Sequence, residues 1–295
     1  MKRRIFFAAL LVVAAAFAGR YFSRTGGDGA GGRAPVNTRE SYKLDPGASV
    51  EVRGINGPVE VTTSETDTAV LQVLRTGGSP DGPVQQEVVV DYSPSSLVVR
   101  GEGGSDGFWR WVHGGGREQL EVRLALPRKV AFTAKGINGP LEVGEIDGSV
   151  EVLSTNGNVS VEQALGRSEL RGVNGNVHVG VARLGEQGME VKGVNGNVEV
   201  RLGAGLDADI HVRGQNGNVS FDVPNVSKQE REGSSEVRAR VGDGGAPITV
   251  RGGNGNLTFK SDVTVGRITF APGAADGDRD MPPPPPLPPP PAPIN

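Results

Sequence analysis

The dipeptide Asn-Gly recurs along this 295-residue chain, and the repeat constrains the fold more than any other feature of the sequence. Successive copies are 82, 18, 18, 21, 21 and 38 residues apart, close to one, two or four units of about twenty residues. The flanking residues repeat too, as in Gly-Val-Asn-Gly-Asn-Val at 172–177 and 193–198. One structural unit is therefore copied, with turns at Asn56, Gly57, Asn138, Gly139, Asn156, Gly157, Asn174, Gly175, Asn195, Gly196, Asn216, Gly217, Asn254 and Gly255.

Apolar and polar residues alternate on both sides of each turn. Val198 and Val200 follow one Asn-Gly, and Met189 and Val191 precede it. A period of two is typical of a strand with one buried face. Asn and Gly both accept positive φ angles, so the dipeptide predicts a sharp turn between two strands. Each unit is thus predicted to contain two strands and two turns.

Two arrangements satisfy this pattern. An Asn-Gly turn by itself favours antiparallel hairpins joined in a meander. A constant period with small aliphatic residues inside favours a coil in which each rung covers the next. The uniform repeat favours the coil, so we expect an all-β chain with a β-solenoid of roughly 20-residue rungs over residues 131–270. One rung between 217 and 253 must be irregular, and residues 227–235 are expected to form a polar loop there.

Residues 42–130 are less regular, with strand-like stretches at 50–52, 69–74, 86–91, 97–100 and 120–126. They predict an N-terminal β cap, because an open solenoid end exposes apolar surface and unpaired backbone groups. Composition agrees with an all-β chain: Gly 46, Pro 21 and few aromatic residues argue against a helix-rich enzyme. Cys 0 excludes a disulfide scaffold and a thiolate metal site.

The two termini differ from the repeats. Residues 1–18 combine a basic start, an apolar run and Ala-Phe-Ala, as in a signal peptide cleaved after Ala18. An uncleaved anchor is the alternative, although the apolar run spans only about 21 Å of a hydrocarbon core about 30 Å thick. Residues 19–41 are predicted to be a flexible Gly-rich spacer and residues 271–295 a disordered Pro-rich tail. We therefore expect export to the periplasm or the cell surface.

A family resemblance follows from these motifs. The opening Val-Arg-Gly-Ile-Asn-Gly-Pro-Val-Glu-Val at 52–61, the Leu-Glu-Val-Arg-Leu-Ala-Leu-Pro at 120–127 and the Asn-Gly-Asn-Val run resemble the bacterial putative-adhesin family, a domain of unknown function with a β-solenoid fold. The resemblance covers about residues 42–260. It implies an envelope-associated, non-catalytic repeat domain, and the adhesin label itself rests on analogy with other β-solenoids.

A column of basic residues precedes the turns. A cation stands three residues before the asparagine in six repeats, and the repeat at Asn156 lacks one. If the rungs stack, these cations form a line with a spacing of about 4.8 Å, which could bind an anionic polymer. The alternative is a solvated face neutralised by nearby glutamates. The predicted binding residues of this stripe are Arg53, Lys135, Arg171, Lys192, Arg213 and Arg251.

An aromatic cluster is the second candidate contact. Phe108, Trp109 and Trp111 lie between glycine-rich stretches; they are either an exposed contact for sugar, membrane or protein, or a lid on the first rung. The histidines His113, His178 and His211 are far apart in sequence and predict no metal site. No nucleophile elbow, P-loop or HExxH pattern is present. We therefore expect no catalytic residues, no metal and no cofactor.

The function expected from the sequence is an exported, adhesin-like module of the cell envelope that contacts an envelope polysaccharide or an envelope protein. The net charge of −3 gives no argument for a nucleic-acid partner, and membrane contact is expected only through an uncleaved N-terminal segment. Two alternatives stay open: a sensory or regulatory domain of the envelope stress response that binds a protein, and a carbohydrate-active β-helix enzyme, which would need clustered carboxylates.

Overall fold

The computed structural model describes residues 36–77, 86–103, 118–230 and 236–262. Within these ranges the chain contains β-strands and no helix. The first seven strands are Val36–Lys43 (β1), Ser49–Arg53 (β2), Val59–Ser64 (β3), Thr68–Gly77 (β4), Glu87–Ser93 (β5), Ser96–Glu102 (β6) and Glu118–Pro127 (β7). The next eight are Ala131–Lys135 (β8), Leu141–Ile146 (β9), Val150–Asn156 (β10), Val159–Ala164 (β11), Ser168–Asn174 (β12), Val177–Val181 (β13), Met189–Lys192 (β14) and Val198–Gly203 (β15). The last six are Ala208–Arg213 (β16), Val219–Asp222 (β17), Val226–Glu230 (β18), Glu236–Val241 (β19), Ala246–Arg251 (β20) and Leu257–Asp262 (β21).

The described strands form two large mixed sheets. The first sheet has ten strands in the order β1-β4-β7-β3-β9-β11-β13-β15-β21-β17. The second has eleven strands in the order β18-β19-β16-β20-β14-β12-β10-β8-β2-β6-β5. Each Asn-Gly turn connects a strand of the second sheet to a strand of the first, and we call such a pair of strands a rung. The all-β expectation is therefore confirmed.

Successive rungs pair in parallel. Val150 of β10 is the register partner of Ser168 in β12, and Val159 of β11 is the partner of Val177 in β13. The two strands of a rung lie in different sheets, which excludes the hairpin meander for the repeats. Alternate side chains point inward and are almost completely buried, so the inward faces of both sheets share one apolar core.

The rungs do not all stack in chain order. The rung β20–β21 lies between β14–β15 and β16–β17, since β20 pairs in parallel with both β14 and β16. The other side of β16 is covered by β19, which runs antiparallel to it. Because every rung offers its neighbours nearly the same apolar surface, the repeat alone does not determine which rung stacks on which.

The first long interval between turns is also explained by topology. The rung β2–β3 contacts β8–β9 directly, through β2 with β8 and β3 with β9. The intervening strands β4 to β7 lie on the other side of β2–β3 or beyond it. The interval of 82 residues therefore does not correspond to four rungs between these two turns.

The edges of the sheets differ from expectation at two places. Strand β1 starts at Val36, ahead of the expected start of the domain near residue 42; it is an outer strand with exposed polar residues, so it lacks an apolar signal. The loop prediction was wrong for residues 227–230, which belong to β18 and pair antiparallel with β19. Their polar sequence suits an edge strand, where charged side chains oppose aggregation. Residues 231–235 lie outside the described ranges.

The described residues include no helix that is long and apolar enough to cross a membrane. The predicted signal peptide, most of the predicted spacer, residues 263–270 and the Pro-rich tail lie outside the described ranges.

Candidate functional site

Side-chain amides connect successive Asn-Gly turns. Nδ2 of Asn138 donates to Oδ1 of Asn56 at 2.8 Å, and Asn156 donates in the same way to Asn138 at 3.1 Å. Asn174 donates to Asn156 at 3.3 Å. These exposed amides form a ladder along one edge of the stack, an arrangement that stabilises stacked strands. At the other end of the stack, Nδ2 of Asn216 donates to Oδ1 of Asn254 at 3.2 Å.

A second ladder involves the asparagine that follows Asn-Gly. Oδ1 of Asn158 accepts a hydrogen bond of 3.0 Å from the backbone amide of Asn176, and Oδ1 of Asn176 accepts one of 3.0 Å from Asn197. The series continues to Asn256 and Asn218. In the first two turns this position is proline, which has no amide hydrogen to donate. This role of the second asparagine was not predicted, although the repeated Asn-Gly-Asn was a signal of it.

In every Asn-Gly turn except the first, the glycine lies against the glycine of a neighbouring turn, whereas Gly57 lies against the backbone of Leu120. A Cβ atom on Gly175 would lie 2.3 Å from the carbonyl oxygen of Gly157, and one on Gly255 would lie 2.4 Å from that of Gly196. The dipeptide was predicted to mark a sharp turn, and the glycine of most turns does take a positive φ, such as 141° at Gly255. The asparagine does not, and a second, left-handed bend falls two positions before it, as at Gly252 with φ 64°. The asparagine instead forms a parallel β-bridge with the asparagine of the neighbouring rung, as between Asn174 and Asn195, and β-bridges need an extended backbone.

The predicted basic residues do lie in one row on the second sheet. Arg53 is the register partner of Lys135, and Arg171 is the partner of Lys192. Arg100 of β6 extends the row as the other partner of Arg53, which the sequence did not indicate because no Asn-Gly follows β6. In spatial order, the cationic column consists of Arg100, Arg53, Lys135, Arg171, Lys192, Arg251 and Arg213.

The column is interrupted once. Leu153 occupies the equivalent position between Lys135 and Arg171, as the register partner of both. The residue after it, Ser154, takes the place of the left-handed glycine and has a φ of 54°. The repeat at Asn156 therefore departs from the others at two adjacent positions, and it divides the cations into a group of three and a group of four.

Carboxylates neutralise much of the cationic column. Glu190 lies 2.7 Å from Nζ of Lys192, and Glu169 contacts the guanidinium of Arg171. The hydrogen bond from Lys192 lowers the pKa of Glu190 below its usual value, and the positive charges of Arg251 and Arg171 add to this effect. Further pairs join Arg53 to Glu51, Arg213 to Glu236, and Arg100 to Asp91 and Glu102.

Two members of the column, Lys135 and Arg251, form no ion pair with any described residue. The reason is local: the position that carries glutamate in other rungs is Thr133 on β8 and Thr249 on β20. The positive charge of the column is therefore least compensated at these two points. Lys135 also lines an open cleft of about 410 Å³ together with Arg53, Arg100, Glu102, Gly54 and Gly101.

The outward carboxylates of the first sheet are dispersed. Glu60 and Glu142 are register partners, whereas Glu199 lies three strands further along the sheet, beyond Ser160 and His178. Lys260 lies 2.7 Å from Glu199, and Arg123 lies 3.3 Å from Glu60. Glu60 and Glu199 are thus ion-paired, and Glu142 lies beside Glu60 on the neighbouring strand without an ion pair to any described residue.

The described residues contain no group of three or more side chains placed to hold a metal ion. His178 is exposed on the first sheet and His211 is half-buried on the second. Phe108, Trp109, Trp111 and His113 lie outside the described ranges, so the aromatic contact stays a prediction.

The fold class that these residues define is all-β, with two large mixed sheets. No family model matches the chain, and no curated protein matches it. It is similar in structure to a putative cell adhesion protein from Clostridium sporogenes, with 11% identity, a TM-score of 0.42, and coverage of 77% of this chain and 100% of that one. A putative adhesin from Bacteroides fragilis matches with 11% identity and a TM-score of 0.28 over 76% of this chain and 97% of that one. One from Parabacteroides merdae matches with 13% identity and a TM-score of 0.25 over 77% and 96%. These values are too low to transfer a function.

Proposed function

We propose that this chain is an exported, non-catalytic module of the bacterial cell envelope, adhesin-like in role, whose cationic column binds an anionic polymer such as an acidic polysaccharide. The observation that carries the proposal is the register of the second sheet, which aligns seven cations in one row that only Leu153 interrupts. Strands in a sheet are about 4.8 Å apart, so the column presents a periodic row of charge suited to a chain of repeated acidic groups.

A stack of rungs would present the cationic column in a form that suits the binding of a polymer. Parallel pairing in both sheets, the two asparagine ladders and the glycine contacts support a β-solenoid. Such a stack holds its surface side chains at fixed spacing, so that a polymer can contact several rungs at once. Multiple weak contacts then add up through effective concentration.

The charge balance of the column sets its expected strength. Most of its cations already have a carboxylate partner, and an incoming anion must compete with that partner. Lys135 and Arg251, which have none among the described residues, are the expected anchor points, and the cleft beside Lys135 gives an acidic group room to approach. We therefore expect binding of modest affinity that weakens as salt concentration rises.

The non-catalytic part of the proposal is supported by the first sheet. A carbohydrate-active enzyme needs two free carboxylates facing one scissile bond. Here Glu60 and Glu199 are held by cations, and Glu199 lies three strands from Glu142.

The test is binding of the purified chain to an acidic and to a neutral polysaccharide over a salt series. The variant K135Q/R251Q should bind the acidic polymer at least about tenfold more weakly, a loss of about 1.4 kcal/mol over two contacts. The matched control is R201Q, which removes an exposed arginine from the opposite sheet and should bind like the unaltered chain.

Two results would contradict the proposal. Equal binding by K135Q/R251Q and the unaltered chain would eliminate the cationic column as the binding surface. If no polymer binds and chemical cross-linking recovers one discrete envelope protein, a sensory or regulatory domain would be the better description.

A further inference from the structure

The seven Asn-Gly dipeptides are chemically reactive as well as structural. In such a pair, the backbone nitrogen of glycine can attack Cγ of asparagine, since glycine has no side chain to hinder the approach. The new C–N bond closes a succinimide ring, the amide proton passes to solvent, and the bond from Cγ to Nδ2 breaks to release ammonia. One water molecule then opens the ring at either carbonyl carbon, which leaves aspartate or isoaspartate.

The attacking nitrogen is occupied in four of the seven turns. The amide of Gly175 donates to the carbonyl of Asn195 at 2.9 Å, and the amide of Gly196 donates to that of Asn254 at 2.9 Å. A nitrogen held in the ladder between rungs cannot rotate toward the neighbouring side chain without breaking that bond, at a cost typical of a backbone hydrogen bond. The same holds for Gly157 and Gly255.

Three glycines lack such a bond among the described residues: Gly57, Gly139 and Gly217. Gly57 and Gly139 are half-buried, and Gly217 is exposed. The side chain of Asn138 is also fixed from both sides, as a donor to one amide and an acceptor from the next. Asn216 makes one such bond, to Asn254.

The position of Asn216 in the stack explains why, among the described residues, Gly217 has no hydrogen-bond acceptor and Asn216 has only one amide partner. β17, which follows this turn, is the last strand of the first sheet, and its partner within that sheet is β21 alone. No described rung lies beyond it to accept a hydrogen bond from Gly217. Terminal elements also open locally at lower free energy than the interior of a stack.

We propose that Asn216–Gly217 is a site of spontaneous deamidation, and that hydrogen bonding between rungs protects the four pairs whose glycine nitrogen is bonded from the same reaction. The modification has a defined consequence. An aspartate at 216 places a carboxylate oxygen against Oδ1 of Asn254, where the amide now donates a hydrogen bond, and isoaspartate also adds a carbon to the backbone. Both changes weaken the pairing of β17 with β21 and loosen the stacked rings of Phe221 and Phe259.

The test follows each Asn-Gly pair by peptide mass spectrometry and isoaspartate labelling while the whole folded chain is kept at mildly alkaline pH. Asn216 should react more than about tenfold faster than the four pairs whose glycine nitrogen is bonded, with Asn56 next. In denaturant the seven rates should converge to within a few-fold, because the local sequences are nearly the same.

A variant provides the control. Asn216→Gln keeps a side-chain amide, but its extra methylene would make the ring six-membered and slow its closure, so residue 216 should stay unmodified while the other six rates remain unchanged. Equal rates at all seven sites in the folded chain, or a faster reaction at Asn174 or Asn195 than at Asn216, would overturn the proposal.

Discussion

Nδ2 of Asn138 donates a hydrogen bond of 2.8 Å to Oδ1 of Asn56, although the two residues are 82 positions apart in the chain. The contact places the first Asn-Gly turn directly beneath the second. The chain between them passes to the other side of the first rung and then returns. The separation of two turns in the sequence therefore does not indicate their separation in the stack, whereas the hydrogen bonds between asparagine amides identify neighbouring turns.

The first prediction concerns the two kinds of glycine in one turn. A Cβ on Gly255 would lie 2.4 Å from the carbonyl oxygen of Gly196, whereas one on Gly252 would meet nothing within 4 Å. Gly252→Ala should lose about 1 kcal/mol of unfolding free energy, the cost of a left-handed φ. Gly255→Ala should lose about 3 kcal/mol or more, because backbone must move as well. Urea denaturation of both variants measures the difference, and a larger loss at Gly252 would contradict the stacking contact.

The second prediction is a stabilising substitution at Ser154. This residue has a φ of 54°, and the equivalent residue in neighbouring rungs is glycine, as at Gly136 and Gly172. Ser154→Gly should raise the unfolding free energy by about 0.5 kcal/mol or more, since the relief of strain exceeds the extra chain entropy of glycine. Ser154→Ala keeps Cβ and is the control. A comparable gain from alanine would mean that strain at this position is not the cause.

The strands and the cationic column show what the sequence could predict and what it could not. The alternation of apolar residues and the repeated turn predicted the strands and the row of cations, since both depend on local spacing. Arg100 was not predicted to belong to the column, because no Asn-Gly turn follows its strand β6. The repeat does not predict that Glu236 contacts Arg213, because Glu236 belongs to β19, an antiparallel neighbour of β16 without an Asn-Gly turn.

The third prediction concerns pH and Glu199. Hydrogen bonds from Lys260 and Arg201 lower the pKa of this carboxyl in the folded chain, below its ordinary value of 4.5. A lowered pKa means that the charged form favours folding, so this stability is present above the ordinary value and disappears as pH falls through the folded value. Glu199→Gln should therefore lower the melting temperature at pH 7, and the difference should shrink in acid.

Glu142→Gln is the matched control for this measurement. Glu142 occupies the position equivalent to Glu199, three strands away on the same face of the first sheet. It is exposed and forms no ion pair with any described residue. Its substitution should leave the melting temperature nearly unchanged across the same pH range. A pH-independent effect of Glu199→Gln would show that packing, not charge, is responsible.

The last prediction tests the order of the rungs. Glu190 of β14 is the register partner of Thr249 in β20, and Thr249 is in turn the partner of His211 in β16. Neighbouring strands are about 4.8 Å apart, within the Cα separation of roughly 4.4–6.8 Å that a disulfide allows, whereas strands two apart are about 9.6 Å away. The chain contains no cysteine, so the two introduced thiols can form a disulfide within the chain only with each other. Under mild oxidation E190C/T249C should lose its free thiols and E190C/H211C should keep them. Cross-linking of E190C/H211C instead would mean that the rungs stack in chain order and that β20–β21 lies at the outer end. That order would place Arg213 beside Lys192 and separate Arg251 from Lys192, so the same experiment also tests the sequence of charges along the cationic column.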